Sequence, residues 1–236
     1  MKTVMSAARY LFIICLPFLL LTVVIAAAVN SSWLYTHGFQ KFDVRQALAD
    51  NGLYVTGQDM SNIAHGFIHY WNSGEKYISL TVQQQGETVA IFNQDEILHF
   101  RDVKSLFRLD YYVLLGTLLY CLIFSLVCIY REEGRYRKML ARAVLWGSGI
   151  TLGIMFAAGI GTLIDFDKLF YDFHLLVFTN NFWSTPGNML LLFPDGFWYD
   201  AVTYIVIAIA VLAVILTVLS WSYLATHKDK NPLLQP

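Results

Sequence analysis

Two short stretches of this 236-residue chain hold most of the side chains that could do chemistry. The first contains Glu96, His99 and Asp102, which follow one another at intervals of three residues. If the stretch is helical, these side chains share one face, where the carboxylates could orient the imidazole and raise its basicity. His99 is then a candidate general base. The same spacing also fits a solvated amphipathic lead-in to a membrane helix, in which His99 has no special task.

The second stretch, residues 165–183, has an aromatic face that contains a single histidine. At steps of four residues it carries Phe166, Phe170, His174 and Phe178. This period places the four side chains on one side of a helix. Such a face is also typical of an interfacial aromatic belt or of core packing, where a lone histidine is usually a satisfied polar group.

Other kinds of active site find little support in the sequence. His65 and His69 have the i, i+4 spacing of two metal ligands on a helix, but no third ligand is identifiable, and no metal is predicted. The sequence has neither a Gly-rich phosphate loop nor a Gly-x-Ser-x-Gly elbow. Its three cysteines lie in apolar runs and are predicted to be buried hydrophobes. Histidine-based chemistry therefore remains the candidate.

The elements that hold these residues belong to a membrane protein. The chain is 57% hydrophobic and only 14% charged, which is too apolar for a soluble domain of this length. A helix needs roughly 20 apolar residues to cross a bilayer core. Runs of this length cover residues 10–29, 111–130, 144–164 and 201–224. The predicted fold is an all-α membrane part with four transmembrane helices. The net charge of −1 argues against a nucleic-acid partner.

The distribution of basic residues predicts how the chain is oriented in the membrane. Basic side chains crowd the connection 131–143, whereas segment 165–200 contains one lysine, Lys168. The positive-inside rule therefore places 131–143 in the cytoplasm and both 30–110 and 165–200 outside it. Basic residues near the two chain ends agree with cytoplasmic termini: Lys2, Arg9, Lys228 and Lys230. The first apolar run could instead be a cleaved signal peptide, but its length favours a retained anchor helix.

Residues 30–110 are predicted to form a small extracytoplasmic α+β cap between transmembrane helices 1 and 2. Asp43 is a predicted helix N-cap, and a second helix is expected over residues 58–71. Apolar residues over 78–82 and 89–92 predict the two strands of a β-hairpin. A unit of this size is marginally stable alone, so its apolar face must be buried against other parts of the chain.

The two stretches together resemble the lipoprotein intramolecular transacylase family of bacterial membrane enzymes. The resemblance is carried by two motifs, Glu96-x-x-His99-x-x-Asp102-Val103-Lys104 and Phe173-His174-x-x-x-Phe178-x-Asn180-x-x-Trp183-x-x-Pro186. It covers nearly the whole chain, since those enzymes are also four-helix membrane proteins with an extracellular cap between the first two helices. The combination of both histidine motifs is fairly specific, whereas each half alone is not.

The resemblance implies a multi-pass enzyme of the bacterial cell membrane, with its active site at the extracytoplasmic face. Its substrate would be a diacylated lipoprotein, met among membrane lipids. The implied reaction moves the sn-2 acyl chain of the diacylglyceryl group to the α-amino group of the N-terminal cysteine and gives the lyso-form lipoprotein. No cofactor or metal is implied. His99 and His174 match the family's two catalytic histidines, and the positions expected to bind substrate or support the site are Glu96, Asp102, Phe178, Asn180 and Trp183.

Acyl transfer to an amine gives the two histidines distinct tasks. An α-amino group with a pKa of about 7.7–8.0 is mostly protonated at neutral pH, so a nearby imidazole must accept a proton as attack occurs. We expect His99 to act as the base and His174 as the acid, although that order could be reversed. Asn180 or Trp183 could donate a hydrogen bond to the oxyanion.

Functions of another class also fit parts of the sequence. A non-enzymatic sensor or accessory protein could bind a partner through the cap, with histidines that tune a response to pH. A haem-binding electron carrier would use His99 and His174 as axial ligands, but both lie outside the predicted spans. A transporter is disfavoured, because the predicted spans hold almost no ionisable side chains.

Overall fold

The computed structural model describes residues 2–131 and 135–227. These residues are mostly helical and include one small two-stranded sheet. The chain falls into two compact units. An apolar unit comprises Met1–Val24, Tyr112–Ala158 and Val206–Pro236, and a site unit comprises Ile25–Tyr111 and Gly159–Ile205.

The described residues form eight α-helices and two strands. In chain order these are α1 (Lys2–Val29), α2 (Ser32–Lys41), α3 (Val44–Asp50), α4 (Gly57–Asn72), β1 (Thr81–Gln84), β2 (Glu87–Ala90), α5 (Gln94–Tyr130), α6 (Arg137–Val177), α7 (Asn188–Leu192) and α8 (Asp195–Thr226). A short 3-10 helix, Phe182–Ser184, lies between α6 and α7. The strands pair antiparallel, with Thr81 opposite Ala90.

Four of the helices, α1, α5, α6 and α8, are long and apolar enough to cross a membrane. Each contains one of the four predicted runs, so the prediction of four membrane-length helices is confirmed. Helices α5 and α6 have 37 and 41 residues and extend well beyond the roughly 20 that a bilayer core requires. Two basic residues used to predict the orientation, Lys228 and Lys230, lie outside the described residues.

Helix α1 packs closely on α6 within the apolar unit. Gly147 allows this approach, because a Cβ there would lie 2.9 Å from Leu16 Cδ2 and 3.3 Å from the Ile13 carbonyl oxygen. Helix α1 also meets α5, where the Tyr120 hydroxyl donates a hydrogen bond to the Ala8 carbonyl at 2.7 Å. Small residues at helix contacts permit such close packing of membrane helices.

The predicted elements of residues 30–110 are largely present in the site unit. Asp43 occupies the N-cap of α3, although its side chain makes no capping hydrogen bond. The helix predicted over 58–71 is α4, which begins with a capping box between Thr56 and Asp59. The hairpin is also present, but β1 begins at Thr81, later than the predicted strand.

Two parts of the site unit differ from the sequence prediction. Helix α2 lies where none is predicted. Its residues have modest helix propensity, and the helix is stabilised by packing of Tyr35 and Phe39 on Phe197, with ring centroids 6.5 Å apart in both pairs. The aromatic face predicted over 165–183 is helical only as far as Val177 and is preceded by a break at Asp165, where φ is −158° and ψ is 84°.

An aromatic core fills the site unit. Phe67 of α4 is fully buried, and its ring centroid lies 5.1 Å from that of Phe193 and 5.2 Å from that of Phe100. Phe100 belongs to α5, and Phe193 lies in the segment between α7 and α8. Such aromatic contacts add to the free energy gained from burial, so this core fixes the positions of α4, α5 and the α7–α8 segment.

Candidate active site

The sequence singles out seven side chains, and all of them lie in the site unit. They are Glu96, His99 and Asp102 on α5, His174 near the end of α6, and Phe178, Asn180 and Trp183 in the segment that follows α6. Two stretches that are far apart in the sequence therefore meet in one unit.

The two histidine rings lie close together and out of water. Their centroids are 6.3 Å apart, with 30° between the ring planes. His99 is 7% exposed and His174 is 6% exposed. Phe178 contacts both rings, at 5.0 Å from His99 and 5.5 Å from His174. Both imidazoles can therefore act on the same small group at the edge of the pair.

Hydrogen bonding distinguishes the two imidazoles. The Nδ1 atom of His174 lies 2.7 Å from the carbonyl oxygen of Phe170, one turn earlier on α6. A carbonyl oxygen only accepts, so this contact assigns the proton to Nδ1 and leaves Nε2 of the neutral ring with a free lone pair. In contrast, the Nδ1 atom of His99 is buried and has no hydrogen-bond partner among the described residues.

Glu96 binds the backbone and does not orient His99. It is 1% exposed, and its two carboxylate oxygens accept hydrogen bonds from the amides of Met189, at 2.6 Å, and Asn93, at 2.8 Å. The Glu96 amide in turn donates to Asn93 Oδ1 at 3.0 Å. The carboxylate therefore joins the first turn of α5 to α7. The expectation that it would orient the imidazole is wrong, because both of its oxygens bond backbone amides instead.

Gly187 lies where the backbone passes directly against the Glu96 carboxylate. A Cβ at this position would overlap Glu96 Oε1 and lie 2.8 Å from Asn93 Nδ2. We expect Gly187→Ala to displace the carboxylate and to cost about 1–3 kcal/mol of stability, measured as a lower melting temperature in detergent. Gly74→Ala is the matched control, since no atom lies within 4 Å of a Cβ there. Equal melting temperatures for the two variants would contradict this account.

Asp102 also forms its hydrogen bonds with residues other than His99. One carboxylate oxygen accepts hydrogen bonds from the guanidinium of Arg101, at 2.9 and 3.1 Å, and the other accepts from Asn180 Nδ2 at 2.9 Å. The Asn180 Oδ1 atom accepts from the Phe182 amide at 3.1 Å. Asp102 therefore ties α5 to the segment that carries Trp183. Each polar group of Asn180 therefore makes one hydrogen bond in this connection.

Trp183 stacks beside the histidine pair. Its ring centroid lies 4.7 Å from that of His174 and 5.6 Å from that of Tyr171. The indole Nε1 atom is buried and has no hydrogen-bond partner among the described residues. An indole N–H is a donor only, so this group is available to an acceptor on a bound molecule.

A cavity of about 240 Å³ opens onto these three side chains. His99, His174 and Trp183 line one part of it. The rest of the lining is almost wholly aliphatic and aromatic, and includes Val103, Phe107, Met189, Phe193, Trp198, Ala201 and Ile205. Ligand pockets usually measure about 300–1,000 Å³. The cavity is smaller than this range and cannot enclose a whole lipid, and its walls offer mainly apolar contacts.

Several residues of the cavity were not found from the sequence. Leu34 and Tyr35 of α2 line it, as does Trp71 of α4. The Tyr35 hydroxyl donates to the Val29 carbonyl at 3.0 Å and accepts from Trp71 Nε1 at 3.0 Å, so this polar pair is satisfied internally. Aromatic residues are frequent in α2 and α4, but their frequency alone does not show whether a given residue lines a cavity or packs in the core.

His65 and His69 are not part of this arrangement. Both are exposed on α4, and His69 Nε2 lies 3.9 Å from Glu75 Oε1. No group of three potential metal ligands occurs among the described residues. That the chain needs no metal remains a prediction.

Comparison with known proteins identifies the family. Residues 10–198 match the family model described as lipoprotein intramolecular transacylase Lit. The fold is similar to that of the membrane integral lipoprotein intramolecular transacylase Lit from Bacillus cereus, with a TM-score of 0.80 and 19% identity over 97% of this chain and 99% of that one. A structure of that protein with a histidine-to-alanine substitution gives a TM-score of 0.74 at 19% identity, over 96% of each chain. No curated protein sequence matches. Because the family model spans most of its length, the chain belongs to the lipoprotein intramolecular transacylase family.

Proposed function

We propose that this acyltransferase moves the sn-2 acyl chain of a diacylglyceryl-modified lipoprotein to the α-amino group of its N-terminal cysteine. The observation that carries the proposal is the histidine pair beside an apolar cavity, with unpaired nitrogen atoms on His99 and Trp183. Ester and amine belong to one molecule, so the enzyme gains most by holding them together in the right geometry. The product is an N-acyl, S-monoacylglyceryl lipoprotein.

The two histidines divide the protons of this reaction between them. The substrate ammonium loses two protons in becoming an amide, and the glyceryl oxygen gains one. We assign the first proton to His99, whose buried Nδ1 has no hydrogen-bond partner among the described residues. Burial and the nearby His174 lower the pKa of His99 to about 4, so the protonated ring is a strong acid that gives this proton up readily. The amine then attacks the ester carbonyl carbon, and its second proton passes to Nε2 of His174, which is unprotonated while Nδ1 donates to Phe170.

Collapse of the tetrahedral intermediate completes the transfer. The bond between the carbonyl carbon and the sn-2 oxygen breaks, and His99 returns its proton to that oxygen. His174 releases the other proton to solvent. In this order His99 serves first as base and then as acid, while His174 is a second base. The hydrogen bond at His174 therefore supports the role of a base for this residue, whereas the sequence led us to expect an acid.

Trp183 is the proposed donor to the oxyanion. Of the two donors considered from the sequence, Asn180 already directs one of its two N–H groups to Asp102, which fixes the orientation of the amide. The Trp183 Nε1 atom has no such partner. A donor that is free before the reaction can stabilise the charge that develops on the carbonyl oxygen without first breaking another bond.

The apolar lining of the cavity has two proposed roles. It accepts the migrating acyl chain, since its walls are formed by residues such as Phe107, Ala201 and Ile205. It also excludes water, which would otherwise hydrolyse the same ester. Glu96 and Asp102 are positioning residues in this proposal, because each connects α5 to a segment that lines or adjoins the cavity.

We further propose the membrane topology that the basic residues predict. Residues 10–29, 111–130, 144–164 and 201–224 span the membrane, and both termini are cytoplasmic. Segment 30–110 is an extracytoplasmic α+β cap, and it lies with 165–200 on the side where the histidines act. The concentration of basic side chains in 131–143 supports this orientation.

An isotope-crossover experiment tests the reaction. Two diacylglyceryl lipopeptides of different sequence, only one of which carries deuterated acyl chains, are incubated together with the purified protein. We expect each peptide to keep its total mass while fragmentation locates one acyl group on the cysteine nitrogen. No deuterated chain should appear on the other peptide, because the transfer occurs within one molecule.

A lipopeptide with an acetylated α-amine is the matched control and should remain unchanged, since it lacks the nucleophile. Exchange of deuterated chains between the peptides would contradict the intramolecular transfer. Release of free fatty acid in place of the N-acyl product would identify a hydrolase instead. Unaltered free-amine peptides, under conditions in which the protein stays folded, would contradict the proposed substrate.

A further inference from the structure

A groove in the apolar unit carries two arginines and has no part in the proposed acyl transfer. It measures about 420 Å³ and lies between α1 and α6. It is lined by Arg9, Tyr10 and Ile13 of α1 and by Arg142, Trp146 and Ile150 of α6. Both helices thus contribute one arginine, one large aromatic residue and one isoleucine.

The packing of the two helices fixes the shape of this groove. Gly147, next to Trp146, brings α6 within reach of the Ile13 carbonyl and of Leu16. A larger residue at this position would separate α1 from α6 and widen the groove. The arginines are therefore held on neighbouring, closely packed helices and are not carried on independent loops.

The two arginines have no anionic partner within the described part of the apolar unit, where the guanidinium of Arg9 lies over the Tyr10 ring, 4.7 Å from its centroid. That part contains no carboxylate, since Glu132, Glu133 and Asp229 lie outside the described residues. The Nε atom of Arg9 is buried and has no hydrogen-bond partner there. A buried guanidinium donor without an acceptor carries a desolvation cost that a bound anion would remove.

The surroundings of the groove indicate the depth at which it lies. Tyr10 is 57% exposed and Trp146 is 68% exposed. Exposed Tyr and Trp residues on membrane helices concentrate at the level of the lipid headgroups. Arg9 and Arg142 lie one and two residues before the predicted spans 10–29 and 144–164, which is the same level.

We propose that this groove binds the headgroup phosphate of an anionic phospholipid. The guanidinium groups of Arg9 and Arg142 would contact the phosphate oxygens, for which arginine has a matching donor geometry. Tyr10 and Trp146 would flank the glycerol region. Ile150, which is 44% exposed, begins the apolar surface along which the acyl chains would lie. Basic pockets between membrane helices bind anionic lipids in this way.

Native mass spectrometry of the full chain in detergent, titrated with phosphatidylglycerol, tests the proposal. We expect one tightly retained phosphatidylglycerol, and weaker retention of zwitterionic phosphatidylcholine. Each arginine contributes about fivefold to the affinity, so the variant R9Q/R142Q should bind about twenty-five-fold more weakly. The charge-conserving R9K/R142K variant should bind more weakly than wild type but more tightly than R9Q/R142Q, which distinguishes a lost charge from a lost fold.

The variant R45Q/R108Q is the matched control, because it removes the same charge from two exposed arginines of the site unit. It should bind like wild type. Equal affinity of R9Q/R142Q and wild type for phosphatidylglycerol would overturn the proposal. Displacement of the lipid by an equimolar amount of inorganic phosphate would also overturn it, because the groove would then be a site for free phosphate.

Discussion

Replacing His174 with alanine is expected to reduce the rate of N-acylation by about 10²-fold or more, and replacing His99 is expected to do the same. His174 Nε2 is the proposed acceptor of the proton that leaves the attacking amine, and His99 is the proposed donor to the glyceryl oxygen. Without either group, water or the substrate must supply that proton transfer. The measurement is the initial rate of N-acyl peptide formation, followed by fragmentation mass spectrometry.

The matched control for these variants is His65→Ala, with His69→Ala as a second control. Both histidines are exposed on α4 of the same unit, so both variants should turn over like wild type. The double variant His99→Ala, His174→Ala should lose less than the product of the two single losses, because the residues act within one reaction. Near-normal turnover by folded His174→Ala enzyme would contradict its assigned role.

The histidine pair could be predicted from the sequence, whereas the tasks of the neighbouring carboxylates could not. Spacing correctly placed Glu96, His99 and Asp102 on one helix. Shared helix position does not select a hydrogen-bond partner, however, and each carboxylate has one partner that is distant in the sequence, the Met189 amide for Glu96 and Asn180 for Asp102. Periodicity contains no information about such contacts, because it describes one helix at a time.

Contacts between distant parts of the chain also explain why some helices could be predicted from the sequence and others could not. The long apolar helices are evident because bilayer thickness sets their length, and α4 is evident because of its apolar face. Helix α2 depends on the packing of Tyr35 and Phe39 against Phe197, which is far away in the sequence. The third apolar run ends at residue 164, directly before the break at Asp165, but hydropathy does not show that the helix continues beyond it to Val177.

Together these contacts explain how a site on two distant stretches is held in place. Glu96 links the start of α5 to α7 by a hydrogen bond, and Asp102 links the next turn of α5 to the segment that carries Trp183 in the same way. His99 lies between these two attachments on the same helix. In the proposed mechanism the two carboxylates set the separation of His99 from the other parts of the site, and this is the preorganisation that electrostatic catalysis requires.

Replacing Trp183 with phenylalanine tests the proposed oxyanion donor. The variant removes the indole N–H but keeps an aromatic ring beside His174 and Tyr171, which lie 4.7 and 5.6 Å from the native ring. We expect a loss of about 10²–10³ in the rate of N-acylation. The apparent affinity for the lipopeptide should change little, because the hydrogen bond strengthens mainly as charge develops on the carbonyl oxygen.

Replacing Trp183 with alanine should have a second effect that the phenylalanine variant lacks. Loss of the ring opens the cavity beside His174 to water, so part of the substrate should be hydrolysed and release free fatty acid. The ratio of fatty acid to N-acyl peptide measures this effect directly. Tyr171→Ala is the control, because it removes a ring that contacts Trp183 but supplies neither the free donor nor cavity lining. Wild-type rates for Trp183→Phe would contradict the donor role, since the ring alone would then suffice.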